Sequence, residues 1–308
     1  MYDAFGSSSI RKTLVKRLRA NGVKAFPFYE IKLIKLANRL NYRDHREIIV
    51  IDGQVSFVGG INVSDKYSNA SKNNKLFWRD TLLKIEGDAT AMLQHIFIGD
   101  WNYCSQEKLT INEAYFPVFN QNLNENNTTV QIVSSGPDSD RPSIYYSIIK
   151  CIQSAKSEVL LTSPYFIPGE TIIDAMKMAA LSGVKVRLLV PGISDSFLVN
   201  AAAKSYYKEL LEAGVEIYLY QKGFVHAKTM VADREVAIVG TANLDYRSFE
   251  LNFEVNAVVY DKEVAENLAS NFENDIKDAE QIKIGGWQNR PKHVQLIEKI
   301  VRLMSPML

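Results

Sequence analysis

The sequence predicts an α/β fold of mixed sheets flanked by helices, organised as two related halves. Strand-like runs alternate with helical ones through most of the chain, which calls for a parallel or mixed sheet. A segment near residue 45 recurs near residue 226 in the same register. The composition is that of an ordinary globular protein, 46% apolar and 23% charged, which excludes collagen, disordered and coiled-coil classes. A length of 308 residues suits about two domains.

The recurrence is specific. HREIIVIDGQVSFVGGIN, from His45, lies over HAKTMVADREVAIVGTAN, from His226, at a shift of 181 positions. Val50 meets Val231, Asp52 meets Asp233, Gly59 meets Gly240 and Asn62 meets Asn243. Two unrelated hairpins matching by chance account for the valines and the glycine. They do not account for His, Asp and Asn in one register.

The elements follow in order. Ser7 to Asn21 reads as a helix ending at Gly22, the usual C-terminal cap residue, and GVKAFPF as the strand after it. An insertion separates Phe28 from His45 and contains IKLIKLANRL, residues 31–40, a basic and apolar run that suits a lipid-facing lip or a packed helix. Past the first motif come Phe77-Trp78-Arg79-Asp80, a strand TLLKIEG and a helix from Asp88 to Trp101. The polar stretch QNLNENNTT, 121–129, has no periodicity and reads as a linker. The second half then runs VQIVSSGP (strand and turn), a helix over Ile144–Ala155, EVLLTSPYFIP (one buried strand) and a helix over Thr171–Ser182. GVKVRLLVPG (strand), a helix over Ser196–Ala213, GVEIYLY (strand) and the second motif complete it, before a helix near Lys262–Lys277. The expected division is 1–125 for a first lobe, 126–284 for a second and 285–308 for a basic amphipathic tail. Only 44 residues precede His45, so the first lobe is expected to lack its opening strands.

Charge and special residues narrow the classes. Lys and Arg number 36 against 35 Asp and Glu, and this near-neutral total argues against a nucleic-acid partner. Cys104 and Cys151 have neither metal-ligand spacing nor a disulfide framework, which fits a reducing compartment. No apolar run is long enough to cross a bilayer as a helix, and the first residues have no signal-peptide pattern. His95, His293, Tyr165, Phe166, Trp78 and Trp101 read as packing or solvated residues.

The motif carries the chemistry. A His and the residue two further on share one strand face. His226 and Lys228 so placed suit an anion, the ammonium holding phosphate oxygens while the imidazole attacks or moves a proton. Gly240 permits close backbone approach and Asn243 adds an amide just beyond it. One His-x-Lys alone is as well explained by a surface pair. The longer pattern His-x-Lys-x4-Asp-x6-Gly-x-x-Asn, with its partial second copy, is not.

These residues resemble the phospholipase D superfamily, whose motif is His-x-Lys-x4-Asp-x6-Gly-(Ser/Thr)-x-Asn, and within it the bacterial cardiolipin synthases. The matching stretches are YDAFGS, NYRDHREIIVIDGQVSFVGGIN, FWRDTLLKIEG, SSGPDSD, LTSPYFIP, HAKTMVADREVAIVGTANLDYRSFELNFEVN and WQNRP. The resemblance implies two lobes related by a pseudo-twofold, with one active site between them. It implies a phosphohistidine intermediate formed without metal or other cofactor, and joining of two phosphatidylglycerols with release of glycerol. His45 would be the nucleophile, and His226 the acid that protonates the leaving glycerol and then activates the acceptor. Lys228, Asn62 and Asn243 would hold phosphate oxygens, beside Gly59 and Gly240. Asp52 and Asp233 would orient the histidines, and Glu254 would support the histidine of the other lobe. The resemblance also implies a phospholipid substrate, a membrane surface as partner and location at the cell membrane, with amino-terminal membrane helices in full-length members.

Position 47 departs from the motif: it is Glu where the family has Lys. A carboxylate about 4 Å from a phosphodiester costs about 4 kcal/mol at an effective dielectric near 20, and each 1.4 kcal/mol or so is tenfold in rate. Arg46 lies on the opposite strand face, Arg43 precedes it in the loop, and Glu47 has Lys228 as a candidate partner. The readings kept open are a transferase, a hydrolase of the same fold on phospholipid or nucleic acid, and a silent lipid-binding relative. Val294, Ile297, Ile300, Val301 and Met304 recur at helical spacing beside Lys292, Lys299 and Arg302. That pattern suits a helix lying on an anionic membrane or docked on its own domain.

Overall fold

The computed structural model describes residues 1–4, 6–7, 12–28, 42–70, 76–118, 128–194 and 196–307. The apolar runs of the second half form its centre. Glu158–Thr162, Lys185–Pro191 and Glu216–Tyr220 pair in parallel, and most of their side chains are buried because helices cover them. Thr229–Ala232 joins the other edge of Glu158–Thr162 in antiparallel fashion and turns back as Val236–Gly240. Asn252–Tyr260 continues the sheet and pairs with Thr129–Ser135. Ala279–Gln281 at one end and Arg43–Asp44 at the other bring this mixed sheet to nine strands.

The first half supplies a smaller antiparallel sheet of Ile48–Ile51, Val55–Gly59 and Leu82–Glu86. Its hairpin reproduces Thr229–Ala232 and Val236–Gly240 at the same shift of 181. Val58, Ile85 and Leu93 form one buried cluster with Val255 and Ala257, so the two halves share a core. The helix Asp88–Cys104 covers this junction.

Two short parallel pairs cross between the halves. Gly223–Val225, just before His226, pairs with Phe77–Arg79 of the first half. Arg43–Asp44, just before His45, pairs with Asn252–Phe253 of the second. The strand just before each histidine lies at the shift of 181, though its partner does not, and the pairs fix where each histidine emerges.

Two expectations change, and one open alternative is decided. EVLLTSPYFIP is two strands, because Pro164 cannot donate to a ladder and Ser163 turns the chain by bonding the Tyr165 carbonyl at 2.7 Å. Phe166–Ile167 pairs instead with Leu244–Asp245. GVKAFPF is extended only at Pro27–Phe28, beside Tyr2–Asp3. The tail helix Lys292–Arg302 docks on its own chain: Val301 is buried and Arg302 bridges Glu209 and Glu170, each at 2.8 Å. Leu296, Ile297, Ile300 and Leu303 remain exposed. The run 31–40 and most of the linker lie outside the described residues.

Candidate active site

Each histidine is held twice by the opposite half. The His226 backbone N–H donates to the Arg79 carbonyl at 2.7 Å, and its Nδ1 lies 2.8 Å from Oδ2 of the next residue, Asp80. The His45 backbone N–H donates to the Phe253 carbonyl at 3.0 Å, and its Nδ1 lies 2.8 Å from Oε1 of the next residue, Glu254. The cross-lobe strand pairs therefore deliver a carbonyl and then a carboxylate to each imidazole. Nδ1–H donation to the carboxylate leaves Nε2 as the reactive nitrogen.

The carboxylates are themselves fixed. Glu254, fully buried, accepts from Thr241 Oγ1, and from Asn252 Nδ2 at 3.1 Å. Asp80 accepts from the Thr81 backbone N–H at 2.7 Å through Oδ1. Gly60, the counterpart of Thr241, has no side chain because a Cβ there would lie 2.5 Å from Asp80 Oδ1. Its carbonyl approaches His226 Nδ1 at 3.0 Å.

Lys228 is the buried cation of the cluster. Its Nζ donates to the His226 carbonyl at 2.7 Å and lies 2.9 and 3.0 Å from the two ring nitrogens of His226. Burial holds its pKa below the usual lysine range, against the pull of Asp80, Glu47, Glu254 and Asp245. Glu47 also enters the cluster. Its Oε2 is sealed from solvent and has no hydrogen-bond partner among the described residues. Burial pushes its carboxyl up to about 7, against Lys228 and His45 and helped by Asp80 and Glu254.

The imidazoles are driven apart. Burial weighs against charging His45, but its ion pair and hydrogen bond with Glu254, helped by Glu47, lift it to about 9. Burial and the Lys228 ammonium push His226 down to about 4, against Asp80. Asp80 itself is held below the usual carboxylate range, its hydrogen bond from His226 and the nearby Lys228 outweighing burial. Trp78 stands 4.9 Å from both His226 and Phe224 between ring centroids, so it is a wall of the site rather than remote packing.

The sequence-predicted residues divide clearly. His45, His226, Lys228, Glu47 and Glu254 come together. Asn62 and Asn243 follow two residues after Gly60 and Thr241; Asn243 is buried, with no partner for Oδ1 among the described residues. Gly59 and Gly240 end the two hairpins where backbones press close: added Cβ atoms would lie 2.3 Å from the Thr81 carbonyl and 2.0 Å from Asn256 Oδ1. Asp52 and Asp233 do not orient the histidines. Both occupy the tight turn of their hairpin with φ of 53°. Seven residues of extended chain place them roughly 20 Å from their histidines. Asp233 accepts instead from the backbone N–H groups of Lys156, Ser157 and Glu158 at 2.7–3.0 Å. Arg43 contacts Asp3 at 3.5 Å, and Arg46 donates to Asp100 at 2.6 Å.

Sequence reasoning missed Asp80 as a functional residue. Its signal was faint: Asp80 directly follows the short strand Phe77–Arg79, whereas Glu254 is the third residue of the long strand Asn252–Tyr260. Among the described residues no group of His, Cys, Asp and Glu is arranged to hold a metal ion.

The result is a duplicated α/β chain whose halves exchange carboxylates around two histidines. Comparisons with known proteins show what this arrangement is similar to. The family model described as "Cardiolipin synthase, PLD-like domain" matches residues 148–276. The cardiolipin synthase of Geobacillus thermodenitrificans is 45% identical over 308 residues, 100% of this chain and 61% of that protein. That of Listeria monocytogenes serotype 4a is 43% identical over 309 residues, 100% of this chain and 63% of that protein. The chain thus spans 61–63% of the length of these curated relatives. The crystal structure of phosphatidylserine synthase from Haemophilus influenzae shares the fold, with a TM-score of 0.62 at 16% identity over 87% of this chain and 71% of that one. The chain is thus similar to cardiolipin synthases along its whole length, and residues 148–276 match their PLD-like domain.

Proposed function

We propose that the chain is a phosphatidyltransferase that joins two phosphatidylglycerol molecules into cardiolipin and releases glycerol. The observation that carries this reading is the pair of histidines, each bonded through Nδ1 to a carboxylate of the other half. Such a pair supplies one nucleophile and one acid, and both lobes, 1–125 and 126–284, are needed to make either.

The division of labour follows from the charges. A nucleophile must be a neutral imidazole and a leaving-group acid must be an imidazolium. His226 is the neutral one and His45 the charged one in the resting site. Nε2 of His226 then attacks phosphorus, the bond to the terminal glycerol oxygen breaks, and His45 gives that oxygen its proton. In the second half-reaction His45 takes the proton of the acceptor's glycerol hydroxyl, whose oxygen displaces His226. This order is the reverse of the one the resemblance implied. Lys228, Asn62 and Asn243 are the groups available to the phosphate oxygens.

The acceptor must reach the site from a lipid phase. The exposed apolar row Leu296, Ile297, Ile300 and Leu303, beside Lys292 and Lys299, suits contact with an anionic membrane surface. No helix among the described residues is long and apolar enough to cross a membrane.

The test is a product assay. The purified chain, incubated with phosphatidylglycerol vesicles, is expected to form cardiolipin and glycerol in equal amounts, detected by mass spectrometry and lost in His226→Ala. Phosphatidic acid as the main product means that water is the acceptor and the chain is a hydrolase. No product from a folded chain means a silent lipid-binding relative.

A further inference from the structure

We propose that Glu47 works in this site as a neutral carboxylic acid, taking up a proton when a phosphodiester binds and donating it as a hydrogen bond to a non-bridging phosphate oxygen. This rests on the function proposed above and extends it to a residue that the family motif does not explain.

Glu47 lies two residues after His45, and its repeat counterpart is Lys228, two residues after His226. Lys228 already sits on the ring and carbonyl of His226. Its counterpart carboxylate projects into the same cluster with Oε2 sealed from water and unpartnered among the described residues. A buried acceptor left without a donor is costly, and a proton taken from solvent, then shared with a bound phosphate oxygen, relieves it.

Charge then decides the form. The groups facing Glu47 are His45 on its own segment, Lys228 from the second motif, Asp80 from the first half and Glu254 from the second. His226 and Asp245 act on it through Lys228. Among the described groups that act on Glu47, an ionised Glu47 with Asp80 and Glu254 would set three carboxylates against two cations, Lys228 and His45. A phosphodiester would add a further negative charge to a site already in deficit. Asp80 and Glu254 cannot give way, since each holds a histidine. Glu47 holds neither histidine, its Oε2 has no partner among the described residues, and burial already pushes its carboxyl toward neutrality. Protonating it removes the deficit and turns an unpartnered acceptor into the donor that a phosphate oxygen needs.

Dimethyl phosphate is a suitable probe, because it stays a monoanion from pH 6 to pH 8. Its binding to the full chain is measured by calorimetry in buffers of different ionisation enthalpy. At pH 8 the expected result is uptake of close to one proton per diester, with affinity about tenfold weaker than at pH 6, as a single group titrating near 7 requires. Glu47→Gln, which carries a fixed donor, is expected to bind without proton uptake and with the same affinity at both pH values. pH-independent binding by the wild-type chain, or uptake that persists in Glu47→Gln, overturns the inference alone. Absence of binding by both chains at pH 6 overturns the proposed function with it.

Discussion

Replacing Asp80 with Asn isolates the link that the sequence least suggested. Asp80 uses its two oxygens differently: Oδ1 accepts from the Thr81 backbone at 2.7 Å, while Oδ2 meets His226 Nδ1 at 2.8 Å. An asparagine that keeps the Thr81 bond must turn its Nδ2 toward the imidazole. Two donors then face each other unless His226 moves its proton to Nε2, which removes the lone pair needed for attack. At 2.8 Å and an effective dielectric near 20 the attraction between Asp80 and a charged His226 is about 6 kcal/mol. Desolvation reduces what such a charge-assisted bond is worth to about 1.5–3 kcal/mol. Adding the wrong tautomer brings the loss to roughly 3–5 kcal/mol, or about 10²–10⁴ in kcat. Initial rates on phosphatidylglycerol vesicles, with melting curves as a control for folding, measure it. The loss is expected in kcat, with KM little changed. A folded Asp80→Asn chain that keeps more than about a third of wild-type kcat refutes the reasoning.

Other predictions follow the same geometry. Asp233→Asn is expected to leave kcat within a factor of about two while lowering stability by about 1 kcal/mol, since Asp233 ties a turn and not a histidine; equal losses of kcat in Asp233→Asn and Asp80→Asn contradict this. Activity is expected to fall below pH about 4, as His226 protonates, and above pH about 7, as Glu47 ionises; in Glu47→Gln the alkaline limb moves toward about 9, where His45 loses its proton. Burial, helped by Asp100, raises Asp44 from 3.8 to about 7, against Arg46. The folded chain therefore binds this proton more tightly than the unfolded one, and stability declines as pH rises between these values. Asp44→Asn is expected to raise the melting temperature at pH 8 and to lose most of that advantage at pH 4, as thermal unfolding at the two pH values will show.

What the sequence revealed and what it hid have physical reasons. The hairpins were legible because a fixed shift aligned His45 with His226 and Asn62 with Asn243, and the structure repeats strand boundaries at that same shift. The aspartates at the same shift were misleading. Asp52 and Asp233 recur because both turns need a residue that tolerates positive φ, and Asp does so more readily than most. The histidines' true partners lie 209 and 146 residues away in the chain, beyond any local pattern. Only the parallel pairing of Arg43–Asp44 with Asn252–Phe253, and of Gly223–Val225 with Phe77–Arg79, brings them in. The effect of Glu47 was legible as a charge conflict but not as a buried oxygen without a donor among the described residues, since burial depends on both halves closing over it.

The most direct test of this account is to trap the covalent intermediate and map it. Rapid quenching of the chain with phosphatidylglycerol at neutral pH, followed by digestion and mass spectrometry, would locate the phosphatidyl group. The account predicts an acid-labile adduct on His226, abolished in His226→Ala and strongly reduced in Asp80→Asn. An adduct on His45 in the wild-type chain would contradict the division of roles drawn from the two carboxylates. Cardiolipin formed with no histidine adduct at all would contradict the mechanism itself.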